Sequence, residues 1–189
     1  NGLLLVASGE SPQGPLEGRV VVGMGKGQPL SLDIERASIA GIAASGRLVQ
    51  TAAGPFAGML VIDGRGVDAK FALSDQGGIQ RIDANARALQ ARIPLPTPIG
   101  IASGSARFTV LLVPERPHVN GAFRLTGVTR DGLVLTDMQG SANIAGTTGV
   151  ATISAKGRSR DGQPFAAVSR VQSVPSGYAV SLEGTLNKL

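Results

Sequence analysis

GRLVQTAAGPFAGMLVIDGRGVDAKFALSDQGGIQRIDANARAL, residues 46–89, is a train of apolar strand-length runs cut by glycine-bearing turns roughly every 8 to 12 residues. Within it Phe56, Leu60 and Ile62, then Val67, Ala69, Phe71 and Leu73, recur at two-residue intervals, which sends their side chains to one face of a strand. The stretch offers almost no candidate catalytic residue. It points instead to a long apolar sheet surface, with Gly64 and Gly66 turning the chain between its two central strands.

The same alternation returns along the chain. Leu30, Leu32 and Ile34 oppose Ser31, Asp33 and Glu35; Phe108, Val110 and Leu112 oppose Arg107 and Thr109; Val119, Phe123 and Leu125 oppose Asn120 and Arg124. Phe165, Ala167 and Val171 share a face, as do Tyr178, Val180 and Leu182. No stretch keeps helical spacing together with caps, so the fold is all-β. Asp63-Gly64, Asp131-Gly132 and Asp161-Gly162 read as tight turns, and tight turns join antiparallel strands; parallel pairing would need long crossovers. IDANARALQ, residues 82–90, fits a short helix and a strand equally well. RIPLPTPI, residues 92–99, with Pro94, Pro96 and Pro98, predicts an extended crossing or edge segment, and PERP, residues 114–117, a second break. Residues 1–189 then form one segment, with strand groups 1–91 and 99–189 in a continuous sheet joined through 92–98.

Composition fits a thin aliphatic interior. Hydrophobic residues make up 42% but aromatic ones only 3%, so Val, Ile, Leu and Ala supply the apolar surface; 27 glycines suit many turns. The net charge of +5 comes from 18 Lys and Arg that are scattered, with no basic run and no interleaved aromatics, which argues against a nucleic-acid partner. The absence of cysteine excludes disulfides and thiolate metal sites. No apolar run of membrane-spanning length is present, and the chain opens at Asn1 without an initiator Met or a signal-like segment, as expected of a piece of something longer.

Catalytic chemistry finds little footing. GMGKG at residues 23–27 lacks the spacing of a phosphate loop and reads as a turn; His118, the sole histidine, has no nucleophile motif around it and reads as a loop residue beside Pro117. Asp63 and Asp68 lack a third acid at calcium-ligand spacing, and Arg65 lies between them. With no Trp and one Tyr, a sugar-stacking cleft is nearly absent as well. The sequence therefore predicts neither an enzyme nor a bound metal or cofactor.

An apolar face repeated on strand after strand must be covered by a second layer, by the sheet curling over itself, or by a ligand. No amphipathic helix is available as cover. Curling of small aliphatic side chains leaves a groove, lined on this reading by Leu30, Leu32, Ile34, Phe56, Leu60, Ile62, Val67, Ala69, Phe71, Leu73, Phe108, Val110, Leu112, Val119, Phe123, Leu125, Phe165, Val171, Tyr178, Val180 and Leu182. Strand glycines such as Gly58 and Gly121 would permit the bending. A β-solenoid or β-sandwich adhesin module with a filled core is the competing reading.

GPFAGMLVIDGRGVDAKFAL (54–73), QRIDANARAL (80–89), GLVLTDMQGSANI (132–144) and PFAAVSRVQ (164–172), leading into a terminal strand from Tyr178 to Leu186, resemble the periplasmic TamB proteins of the AsmA-like superfamily. The resemblance is carried by strand rhythm and recurrent Gly-Pro-Phe and Gly-Leu phrases and transfers no catalytic residue. It implies a curved, taco-like, mostly antiparallel sheet whose concave apolar groove faces phospholipid acyl chains. It further implies a periplasmic location, an inner-membrane anchor outside this segment, and roles in lipid transport to the outer membrane and in assembly of outer-membrane proteins with a barrel partner.

Overall fold

The computed structural model describes residues 2–11 and 14–186. Thirteen strands follow one another: β1 (Gly2–Ser11), β2 (Gly14–Gly25), β3 (Gln28–Ile39), β4 (Ile42–Gln50), β5 (Phe56–Gly64), β6 (Val67–Gln76) and β7 (Ile79–Ile93). The second half contributes β8 (Ile99–Leu111), β9 (His118–Arg130), β10 (Leu133–Ala145), β11 (Thr148–Arg158), β12 (Pro164–Val174) and β13 (Gly177–Leu186). They lie in one sheet in chain order, every neighbouring pair antiparallel. The two outermost strands, β1 and β13, do not pair with each other, so the sheet is open rather than a closed barrel. Extensive packing joins only strands that are consecutive in sequence, and the described residues include no helix. The described residues thus form one sheet, without the separate second sheet that a sandwich requires.

Several sequence expectations change here. Residues 82–90 lie wholly within β7, because Ile82, Ala84, Ala86 and Ala88 each face an apolar partner on β6, giving that stretch the period of a strand. Asp63-Gly64 ends β5, and the turn falls on Arg65-Gly66, where both residues have positive φ, as a two-residue hairpin of the type I′ class demands. Asp131-Gly132 does form such a turn. The proline-rich segment crosses nothing: β7 runs on to Ile93, and residues 94–98 merely connect it to its neighbour β8. His118 opens β9, opposite Leu111, instead of lying in the loop.

Register explains how a sheet this wide keeps its faces distinct. Directly opposed residues in antiparallel strands project to the same side. One row runs Leu5, Val20, Ile34, Gly46, Leu60, Phe71, Ala84, Phe108, Gly121, Ala142, Ala151, Val171 and Val180, through all thirteen strands without one polar side chain. Bulges shift the alternation locally. In β3 the pairing skips Glu35 against β2, which keeps Ile34 and Ala37 on one face. Gln90, Ala102, Gly127 and Thr136 are skipped at one level of β7 to β10. Around Gln90, held at φ 47, Leu89 is 70% exposed whereas Ala91 two residues on is 2% exposed, so the extra residue turns the alternation over.

Two glycines make the close strand approach affordable. Gly58, at φ 144, has Arg47 O 2.0 Å from where a Cβ would stand, and Gly121 has Phe108 Cδ1 at 2.4 Å. The Phe108 ring thus occupies the space that a side chain at position 121 would need. Substituting Gly58→Ala should cost about 3 kcal/mol, read as a lowered urea midpoint. Gly9→Ala, where a Cβ meets nothing within 4 Å, should stay within about 0.5 kcal/mol.

Candidate functional site

The residues expected to line a groove fall on one face. Rows parallel to the one above pass through Leu32, Leu48, Gly58, Leu73, Ile82, Val110 and Val119, and through Ile62, Ala69, Ala86, Ala106, Phe123, Gly140, Ile153, Ser169 and Leu182. Leu30 precedes Leu32 on β3, and Phe56 precedes Gly58 on β5. Val67 and Leu125 lie on a further row with Ala88, Gly104 and Met138. Leu112 extends β8 past its last strand residue, with its N–H bonded to Gln80 O at 2.9 Å. Phe165 faces Gly157, and Tyr178 faces Ser173. The bulges bring in Ala91, Ile101, Val128 and Leu135, which two-residue counting from the β-strand centres assigns to the opposite face.

Among the described residues no helix or separate second sheet covers this apolar face. Only five apolar side chains are buried among the described residues, Ala40, Leu48, Ala69, Ala91 and Ile101, while Leu182 is 73% and Val180 68% exposed. Contiguous apolar surface beyond a few hundred Å² is rare on soluble monomers and marks a binding surface. Polar groups on this face are few, and those at its ends are engaged. Gln80 receives the Phe56 N–H on Oε1 at 2.7 Å and donates from Nε2 to Phe56 O at 2.9 Å. Its amide thereby stands in for a strand residue where β5 and β6 part company beyond Gly58 and Leu73. Sequence reading missed this residue, whose only signal is an amide where the row pattern calls for an aliphatic side chain.

Arg116 was missed because its partners lie 58 to 61 positions later in the chain. His118 and Gly177 stand four strands apart at one end of the sheet, ~19 Å along a flat surface. Arg116, two residues before His118, nonetheless donates to Val174 O at 2.5 Å, Pro175 O at 2.7 Å and Gly177 O at 3.2 Å. Two residues and a long side chain together reach only ~14 Å, so this end of the sheet is drawn inward. The inward side is the apolar one. The guanidinium sits 5.8 Å from the centroid of the Tyr178 ring, and the buried Ser173 hydroxyl, opposite Tyr178, donates to Gly146 O at 2.7 Å.

The other face carries most of the charged side chains of β6 to β9 and a concavity of ≈ 950 Å³, lined by Asp68, Lys70, Asn85, Arg87, Ser105, Arg107 and Arg124. The hollow therefore lies behind the apolar rows, on the face opposite the expected groove lining. Charges that look scattered in the sequence meet there, because hairpin lengths bring one cation from each of β6 to β9 to the same level. Beside it, Arg81 bonds Asp83 through Nε at 2.7 Å and a second nitrogen at 2.9 Å, and Thr109 donates to Asp83 at 2.6 Å. These bonds hold the Asp83 carboxyl below the usual carboxylate range, Arg81 first and Thr109 next. No group of three or more His, Asp or Glu side chains gathers as a metal site among the described residues. Asp63 and Asp68 oppose each other directly.

The chain matches no family model, no curated protein and no solved structure.

Two predictions rest on these contacts. Tyr178 is the sole tyrosine and Trp is absent, so intrinsic fluorescence reports the Arg116 clasp; Arg116→Ala should raise acrylamide quenching of Tyr178 without changing the β circular-dichroism spectrum. Asp83, with its folded pKa depressed, adds stability above the ordinary carboxylate pKa of about 3.9 and loses it as pH falls through the lower folded value. Asp83→Asn should flatten the urea midpoint measured between about pH 5 and pH 2.

Proposed function

We propose that this chain is a segment of a periplasm-spanning β-groove protein of the TamB kind, which conducts phospholipids between the inner and outer membranes or supports assembly of outer-membrane proteins. The observation that carries the reading is the apolar row from Leu5 to Val180, continuous across thirteen strands on a face that no helix or separate sheet covers among the described residues. Twelve interstrand steps make it ~58 Å long, about twice the ~30 Å hydrocarbon thickness of a bilayer. An acyl chain laid along it gains up to ~0.8 kcal/mol for each methylene removed from water. Curling toward this face, as at Arg116 and Tyr178, would convert the strip into a taco-like groove. In the full-length protein a barrel partner would meet one end, and a membrane anchor would lie outside this segment.

Burial of only five apolar side chains among the described residues, Ala40, Leu48, Ala69, Ala91 and Ile101, favours this reading over a filled-core adhesin module. Native mass spectrometry of the purified chain should show bound phospholipid, and a delipidated sample should take up a fluorescent phospholipid. Phe71→Asp with Phe108→Asp, both on the long row, should reduce uptake at least ~10-fold, while Thr152→Asp on the polar face should leave it unchanged. A chain with an intact β spectrum that neither carries lipid nor takes it up would overturn the proposal.

A further inference from the structure

We infer that the hollow on the polar face binds a ligand bearing two or more phosphate groups. Lys70 on β6, Arg87 on β7, Arg107 on β8 and Arg124 on β9 line it, one cation per strand. Register alternates them between two rows: Asp68, Arg87, Ser105 and Arg124 oppose one another in sequence, as do Lys70, Asn85, Arg107 and Ala122. Cations on adjacent strands are thus diagonal neighbours, ~7–8 Å apart at their bases. That is within one Debye length of about 8 Å at physiological salt, so their mutual repulsion is poorly screened.

Nearby carboxylates relieve it only in part. Asp137 pairs with Arg124 at 3.3 Å, which leaves Lys70, Arg87 and Arg107, while Asp83 is held by Arg81 and Thr109. Asp68 is the one acid in the lining, and among the described residues neither Lys70 nor Arg87 has an ion-pair or hydrogen-bond partner. Arg107 Nε donates to Asn85 Oδ1 at 2.8 Å, which orients that amide so its NH₂ remains a donor. Ser105 adds a hydroxyl.

The floor is backbone. Ala86, Ala106 and Phe123 lie between the two rows along their strands and direct their side chains to the apolar face, so nothing fills the hollow from below. Its ≈ 950 Å³ suits a small-molecule ligand. Guanidinium forks match phosphate oxygens two at a time, and two anionic groups spaced along the diagonal would each meet an Arg. With the Phe123 ring on the other face, the hollow has no aromatic platform on which a nucleobase could stack. The ligand chemistry is therefore phosphate, from either a soluble polyphosphate or the headgroup of a diphosphorylated lipid.

Calorimetric titration with tripolyphosphate and with orthophosphate tests the site, and does so independently of lipid uptake by the apolar face. Tripolyphosphate should bind at least ~10-fold tighter than orthophosphate and weaken as salt rises. The double variant Arg87→Gln, Arg107→Gln should lose at least ~10-fold in affinity, whereas Arg170→Gln, on the same face beyond the hollow, should not. Flotation with phosphatidylcholine vesicles, with and without cardiolipin, separates the two sources: recruitment by cardiolipin that depends on Arg87 and Arg107 identifies a headgroup, and tripolyphosphate binding without it a soluble ligand. Equal affinity for the two phosphates, indifference to the double variant, or failure of both the tripolyphosphate and the cardiolipin arms would overturn the inference.

Discussion

The ladder of backbone hydrogen bonds between consecutive strands carries this structure, since packing of any extent occurs only between strands adjacent in the chain. A sandwich or a helix-covered sheet buries its apolar face against another layer. Here no helix or separate second sheet is present among the described residues. Leu48, Ala69 and Ile101 are buried nonetheless. The stability of the chain is consequently tied to register: a slip of one residue would reverse the faces of every strand beyond it.

That dependence explains where irregularity is allowed. The skipped residues of β7 to β10 stand at one level, so all four strands turn over together and the apolar face continues through Ala91, Ile101, Val128 and Leu135. Turns at one end are knitted in series: Ala40 N–H bonds Pro15 O, Arg65 Nε–H bonds Ala40 O, and Arg92 N–H bonds Arg65 O. Arg65 occupies a positive-φ turn position that glycine or asparagine fills more easily, and its side chain is placed by that geometry to reach the neighbouring turn.

Much of this was legible in the sequence. Alternation alone places Leu60, Phe71, Phe108 and Val180 on one face, because two-residue periodicity is local. It fails where information is not local. Gln90 and Thr136 look like ordinary alternating residues, and only the pairing with neighbouring strands shows that the ladder skips them. Arg116 sits in a proline-rich break and meets residues nearly sixty positions later, so no window of sequence shows its role. The cationic hollow escapes for a related reason: Lys70, Arg87, Arg107 and Arg124 are separated by whole strands and turns, and read singly each is an ordinary solvated side chain of a polar face.

Nearest-neighbour order has a further consequence for how such a molecule can change in length. Because every strand answers only to the two beside it, a hairpin gained or lost by duplication or deletion would alter the sheet by two strand spacings, ~10 Å, and leave distant pairings intact. Stability in such a chain accumulates repeat by repeat, as in solenoids. Reach is then a heritable dimension that can be tuned in fixed increments, with the apolar rows on one face and the polar rows on the other extended by the same step.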